Sequence, residues 1–211
     1  MLFRKKDIFG NKYPTEKELL KKYGMADHCR HVRLLCISDT HGCFREPDEI
    51  PPYDAVILLG DHTFGDVEKI LKVFPKDKMY GVLGNHDDDW ITKYGIEDLH
   101  GNKVEINGVS LIGFKGCVKY KEGISVAWED EDSLSEISGF PRADVLISHD
   151  GTYRTDWDYT HRGIYALTEY IYKNHVSMHL HGHIHRFEDN TLLNGTHQIS
   201  LKANVPTLIE V

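Results

Sequence analysis

Leu34–Leu35–Cys36–Ile37–Ser38–Asp39–Thr40–His41–Gly42 is the stretch that decides the reading of this chain. An apolar run over residues 32–37 stops at a carboxylate, and an imidazole and a glycine come after it. A buried strand that ends in polar groups delivers them to the edge of a sheet, where the turn leaves room for a ligand. The pattern recurs down the chain. Ala55–Val56–Ile57–Leu58–Leu59 runs into Gly60–Asp61–His62, and Met79–Tyr80–Gly81–Val82–Leu83 runs into Gly84–Asn85–His86–Asp87. Val145–Leu146–Ile147 runs into Ser148–His149–Asp150, and Met178–His179–Leu180–His181 into Gly182–His183–Ile184–His185. Five strand-like segments thus finish in Asp, Asn or His.

The intervening segments point to a mixed α/β chain. Val67, Ile70, Leu71 and Phe74 recur at helical spacing ahead of Pro75, so the second and third strands flank a helix in a right-handed βαβ unit. Ile164, Leu167 and Ile171 predict another core-facing helix. Asn107–Gly108 between two apolar runs predicts a type I′ hairpin. Asn194–Gly195 signals a second hairpin, and residues 207–211 a closing strand. Glu129–Asp130–Glu131–Asp132 reads as a solvated helix start whose carboxylates suit the dipole. Thr15 and Glu18 have capping-box spacing and Gly24 is a plausible stop, which gives a short helix within an N-terminal extension, residues 1–31.

Bulk properties narrow the function. The 211 residues suit a single domain, and 40% hydrophobic with 27% charged residues is ordinary for a soluble globular protein. No apolar run of about 18 residues is present, so no membrane span is expected. The basic N-terminus leads into no apolar stretch of the secretory kind. Cys29, Cys36, Cys43 and Cys117 show no C-x-x-C spacing and read as reduced thiols of a cytoplasmic protein. A net charge of −8 argues against polynucleotide binding. The 14 histidines stand out, and five of them lie within residues 175–185, which suggests metal chemistry.

Each block alone has a bland reading: a satisfied turn, an Asx-turn, or two strand residues on one face. In combination they resemble the calcineurin-like metallophosphoesterase superfamily, whose blocks read D-x-H, G-D, G-N-H-D/E, H and G-H-x-H. Here these are Asp39–Thr40–His41, Gly60–Asp61, Gly84–Asn85–His86–Asp87, His149 and Gly182–His183–Ile184–His185, in the same order. The resemblance implies a four-layer α/β/β/α sandwich of two mixed sheets. It implies one metal held by Asp39, His41, Asp61 and His185, and a second by Asp61, Asn85, His149 and His183, with Asp61 bridging. Mixed Asp, Asn and His ligands suit manganese first, with iron or zinc as alternatives.

The activity implied by the resemblance is two-metal hydrolysis of a small phosphate ester. A metal-bridging hydroxide would attack in line, with Asp61 and His86 as the catalytic residues and His86 as stabiliser or general acid. Arg154 and Arg162 could reach the phosphate. A diester is the favoured substrate, by analogy with short relatives. The rivals are a monoesterase of nucleotides or phosphoproteins, a nuclease, and a non-catalytic metal-binding scaffold. Two departures from the family pattern stand out. Some members have G-D-x-x-D, with the last carboxylate orienting the catalytic histidine; Phe64 stands there, so Asp87 and Asp150 become the candidates. Asp150–Gly151 also replaces a proline-containing loop that shapes the substrate pocket in many relatives. His62, His179 and His181 read as residues that support ligands. The sequence leaves the oligomeric state open.

Overall fold

The structure is a computed structural model, and it describes residues 13–26, 31–155 and 160–211. Cys29 and the basic N-terminal stretch lie outside the described residues. The described chain begins with α1 (Glu16–Tyr23), β1 (Arg33–Ile37), β2 (Ala55–Leu58), α2 (Phe64–Val73), β3 (Met79–Gly81), α3 (Trp90–Tyr94) and β4 (Glu97–Asp98). The hairpin of β5 (Val104–Ile106) and β6 (Val109–Phe114) comes next, then the short strands β7 (Cys117–Val118) and β8 (Ala127–Trp128). The chain continues through α4 (Asp130–Ser138), β9 (Val145–Ser148), α5 (Tyr165–Asn174), β10 (Met178–His181), β11 (Glu188–Thr191), β12 (His197–Ser200) and β13 (Thr207–Glu210).

Two mixed sheets form. One has the order β13-β1-β2-β3-β4, parallel except for β13; the other has the order β11-β12-β10-β9-β6-β5, with antiparallel strands at both edges. Side-chain alternation sorts the strands into layers. Leu34, Cys36, Ala55 and Ile57 meet Leu111, Val145, Ile147 and Leu180 in the core between the sheets. The alternate residues Leu35, Ile37, Val56 and Leu58 pack under α2 and α3 with Val67, Ile70 and Trp90. Ile112, Phe114 and Leu146 pack under α4 and α5 with Ile137, Leu167 and Ile171. Every core strand therefore buries both faces, which is why its sequence reads as a continuous apolar run. The result is the expected four-layer α/β/β/α sandwich.

Local signals behave as read, with three differences. Thr15 and Glu18 make a full capping box and Gly24 caps α1 at φ 89°, while Leu19 is buried against the α5 layer. Asn107 and Gly108 both take positive φ in the two-residue hairpin. The second hairpin turns more widely: only Gly195 is left-handed, and Leu192 N–H closes the loop on the Thr196 carbonyl. The third core strand ends at Gly81 rather than Leu83. Asp130 is not solvated: Arg162 Nη2 lies 3.0 Å from its carboxylate. Among the described residues no helix is long and apolar enough to cross a membrane.

Trp90 heads the fully buried side chains, and it fills the space beneath Gly81, where an added Cβ would meet its ring at 2.8 Å. Trp90→Ala should cost about 3–5 kcal/mol, read from the midpoint of urea denaturation. A smaller loss would show that α3 collapses into the hole.

Candidate metal centre

All five polar strand ends converge on the same edge of the sandwich. The turn after β1 locks onto the turn after β2: Asp39 N–H donates to the Gly60 carbonyl (3.0 Å) and His41 N–H to the Asp61 carbonyl (3.1 Å). The turn after β10 locks onto the turn after β9 through Gly182 N–H and the His149 carbonyl (2.9 Å). His183 N–H then reaches across the sheets to both oxygens of Asp39 (3.2 and 3.0 Å). Asp39, His41, Asp61, His183 and His185 all have φ between 43° and 68°. Left-handed backbone at a residue with a Cβ costs free energy and persists only where surroundings enforce it.

Glycines make that enforcement possible. A Cβ on Gly84 would stand 2.2 Å from Asp61 Oδ1, and one on Gly182 would stand 2.0 Å from Ser38 Oγ and 2.5 Å from Asp39 Oδ2. Only hydrogen fits there, and this explains why glycine opens the third and fifth blocks.

The donor atoms are close together. Asp61 Oδ2 lies 3.5 Å from His41 Nε2 and 3.6 Å from His149 Nε2. His185 Nε2 lies 3.4 Å from Asp39 Oδ1 and 3.1 Å from His41 Nε2. His149 Nε2 lies 2.9 Å from Asn85 Oδ1. Ligand atoms around one divalent cation sit about 3–3.5 Å from each other, given metal–ligand bonds of roughly 2.0–2.2 Å. Two groups, Asp39–His41–His185 and Asp39–Asp61–His149, meet the requirement for a cation.

The hydrogen bonds fix which nitrogens are available. His149 Nδ1–H donates to the Leu59 carbonyl (2.8 Å), so the lone pair of the neutral ring is on Nε2 and faces another acceptor, Asn85 Oδ1. A cation between Nε2 and Oδ1 would accept both lone pairs, and this is the observation by which the residues fit a metal. His183 Nε2–H donates to the Thr160 carbonyl (3.3 Å), leaving Nδ1 as its free nitrogen. Its ring stands 5.0 Å from that of His149. His183 is outside both donor groups above, so the structure brings it beside the cluster rather than into it.

The electrostatics agree with the chemistry. Burial opposes a charge on His149, yet Asp61, Asp39 and the Leu59 carbonyl raise its pKa to about 9. Burial also works against Asp39, but the bond from His185, the charge on His149 and the Ser38 hydroxyl hold it well below the usual carboxylate range. Burial lowers His41 and His183, whereas the bond to Asp39 raises His185. Burial pushes His62 and His181 down to about 4 and His179 to about 3, so these three stay neutral.

Asp66 was not legible as a site residue, and the role of Asp87 was not legible either. Asp87 accepts from the backbone N–H groups of Asp61 (2.9 Å), His62 (2.6 Å) and Gly84 (2.6 Å). Asp66 accepts from Thr40 Oγ1, Gly42 N–H and Phe44 N–H, while His62 Nδ1 lies 2.8 Å from Thr40 Oγ1. These carboxylates tie turns together through backbone atoms, which carry no spacing signal in the sequence. Asp87 and Asp150, the two candidates for orienting His86, have backbone partners. Asp87 points inward under the turns, and Asp150 accepts from Val118 and Gly151 N–H. His86 is exposed at the rim, its ring 5.7 Å from that of His41 and its N–H on Asp61 Oδ1 (2.9 Å). Of the two arginines, Arg162 is buried against Asp130, and Arg154 Nη1 bonds Glu188 at 2.9 Å.

Two experiments probe this geometry. Gly182→Ala should displace Asp39 and abolish tight metal uptake, measured by metal content after gel filtration. The proton on His149 stabilises the metal-free fold fully below about pH 6.5, and that contribution is lost as pH rises through about 9. The melting temperature of chelator-treated protein should therefore fall across that window. Metal-loaded protein, with a cation in place of the proton, should show a smaller fall.

The family model for the calcineurin-like phosphoesterase superfamily domain matches residues 32–199. No curated protein matches the sequence. Among solved structures, phosphopantetheinyl hydrolase from Mycobacterium tuberculosis is similar at 14% identity and a TM-score of 0.58, covering 84% of this chain and 95% of that one. A putative 5′-nucleotidase from Staphylococcus aureus is 15% identical with a TM-score of 0.54, over 86% of this chain and 50% of that one. NAD nucleotidase from Haemophilus influenzae is 13% identical with a TM-score of 0.51, over 86% and 46%. The chain thus spans about half the length of these two nucleotidases. These neighbours share the sandwich. With the family model spanning all five blocks, the chain belongs to the calcineurin-like phosphoesterase superfamily, a family of hydrolases acting on phosphate esters.

Proposed function

We propose that the protein is a two-metal phosphodiesterase acting on a small phosphate ester. The observation that carries this reading is the position of Asp61 Oδ2, nearly equidistant from His41 Nε2 and His149 Nε2 at 3.5 and 3.6 Å. A carboxylate so placed can serve two cations. Asp39, His41, Asp61 and His185 hold the first; Asp61, Asn85, His149 and His183 hold the second. Divalent cations there, manganese first, with iron or zinc as alternatives, supply Lewis acidity and a nucleophile near neutral pH.

The chain's own residues do the remaining work. His86 N–H occupies Asp61 Oδ1 and so keeps Oδ2 turned to the two imidazoles. The His86 imidazole, at the rim beside His41, holds a proton for the leaving oxygen. Asp87 and Asp66 keep the turns from relaxing when charge changes at the centre. The diester preference is supported by the arginines: Arg162 is bonded to Asp130 and Arg154 to Glu188. Two divalent cations held by two aspartates would leave the site positive, and an anionic diester would suit that charge. A dianionic monoester would call for a further cationic side chain.

The same reading makes the protein cytoplasmic, with Cys36 and Cys117 buried as free thiols, and free of polynucleotide on its acidic surface.

Metal-stripped protein reconstituted with Mn²⁺ should hydrolyse a bis-aryl phosphate faster than the mono-aryl ester. The reverse order would make it a monoesterase, and no turnover on either with metal bound would favour the scaffold reading. His86→Ala should keep its metal and lose roughly a hundredfold or more in turnover. Full activity in that variant would remove His86 from the reaction.

A further inference from the structure

Tyr13 lies well outside the stretch that the family model matches, yet its side chain packs at the start of α5. Its ring stacks on Tyr165 at the start of α5 (centroids 4.0 Å apart, planes 7° apart) and meets Tyr153 edge-on at 5.4 Å. Burial, and after it the neighbouring Asp130 carboxylate, raise the pKa of its hydroxyl. Asp130 is the counter-charge of Arg162, which is 5% exposed and sits 5.6 Å from the Tyr153 ring. A buried guanidinium depends on its partner, and loosening one member leaves an uncompensated charge. Tyr13 thus covers an ion pair between α4 and the chain that enters α5.

That chain leads back to the centre. Residues 151–155 and 160–164 run side by side: Thr152 bridges Ile164, Ile164 N–H donates to the Gly151 carbonyl (3.0 Å), and Arg154 N–H to the Arg162 carbonyl (2.6 Å). Thr160, two residues before Arg162, supplies the carbonyl that holds His183 Nε2, and the His161 ring lies 5.4 Å from that of His183. The tautomer of a metal-binding imidazole is set by what its other nitrogen bonds.

We propose that Tyr13 is a positioning residue for the centre: it closes over the Asp130–Arg162 pair, which holds the Thr160 carbonyl where it fixes His183 with its proton on Nε2. The inference rests on the reading of His183 as a ligand of the second cation. The N-terminal extension then acts at a distance on one ligand only. Removing Tyr13 should release that ligand and leave Asp39, His41 and His185 as they are.

Two measurements on the full-length chain test this. Long-range ¹H–¹⁵N imidazole spectra of the metal-free protein near pH 7.5 should show His183 as a single Nε2–H tautomer in the wild type. In Tyr13→Ala it should become a mixture, and in Tyr13→Phe, which keeps the stacking and loses the hydroxyl, an intermediate case. Titration with Co²⁺, followed in its visible absorption, should show two cations in the wild type, one of them weakened about tenfold or more in Tyr13→Ala. An unchanged His183 signal in Tyr13→Ala would overturn the proposal. So would equal weakening of both cations with a lower melting temperature, because that is general destabilisation. A wild type that takes up one cation, with His183 still released by Tyr13→Ala, would uphold the positioning role and sink the two-cation reading instead.

Discussion

Asp39 and Asp61 are carboxylates buried at the edge of the sandwich, and N–H, O–H and imidazole groups surround them. Backbone N–H groups of His183 and His86 donate to their oxygens, the Ser38 hydroxyl donates to Asp39, and the imidazoles of His41, His149 and His185 close in from the turns after β1, β9 and β10. Burial of unpaired anions is among the costliest things a fold can do. The sandwich accepts that cost at one edge, where a cation can offset it. The bonds between the turns after β1 and β2, and between those after β9 and β10, hold the carboxylates at fixed separation.

The strain has the same origin. Five of the seven ligand candidates sit in left-handed backbone, each at a cost of order 1–3 kcal/mol. Such a conformation turns a side chain back over the strand end that carries it, so short turns can aim several donors at one point. Close approach of Gly84 and Gly182 to the carboxylates removes the space into which the turns would otherwise relax. The layers beneath, filled on both faces of every core strand, anchor the turns.

Much of this was legible because it is local or periodic. Apolar runs ending in Asp, Asn or His place ligands at strand ends; Thr15 with Glu18 writes a cap, and Asn107–Gly108 writes a two-residue turn. The features that could not be read act through partners distant in sequence or through backbone atoms. Asp87 looks like the fourth letter of a motif, and its carboxylate turns out to hold three backbone N–H groups. Asp130 looks like one acid among four on a solvated helix start, and only packing reveals Arg162 opposite it. The Thr160 carbonyl has no side-chain identity, so no pattern could mark it.

The register of β1 has a consequence for the order in which the molecule assembles. β1 carries the first ligands, pairs with β2 on one side, and on the other takes β13 from nearly the far end of the described chain, Arg33 opposite Glu210. Closing so long a loop is entropically slow. During synthesis Asp39 and His41 emerge early, while His183, His185 and the strand that seals their sheet come much later. The anionic edge therefore waits, open and partly paired, while the residues between are made. His183 and His185 can join the cluster only once β10 has been made, so the ligand set is complete only late in synthesis.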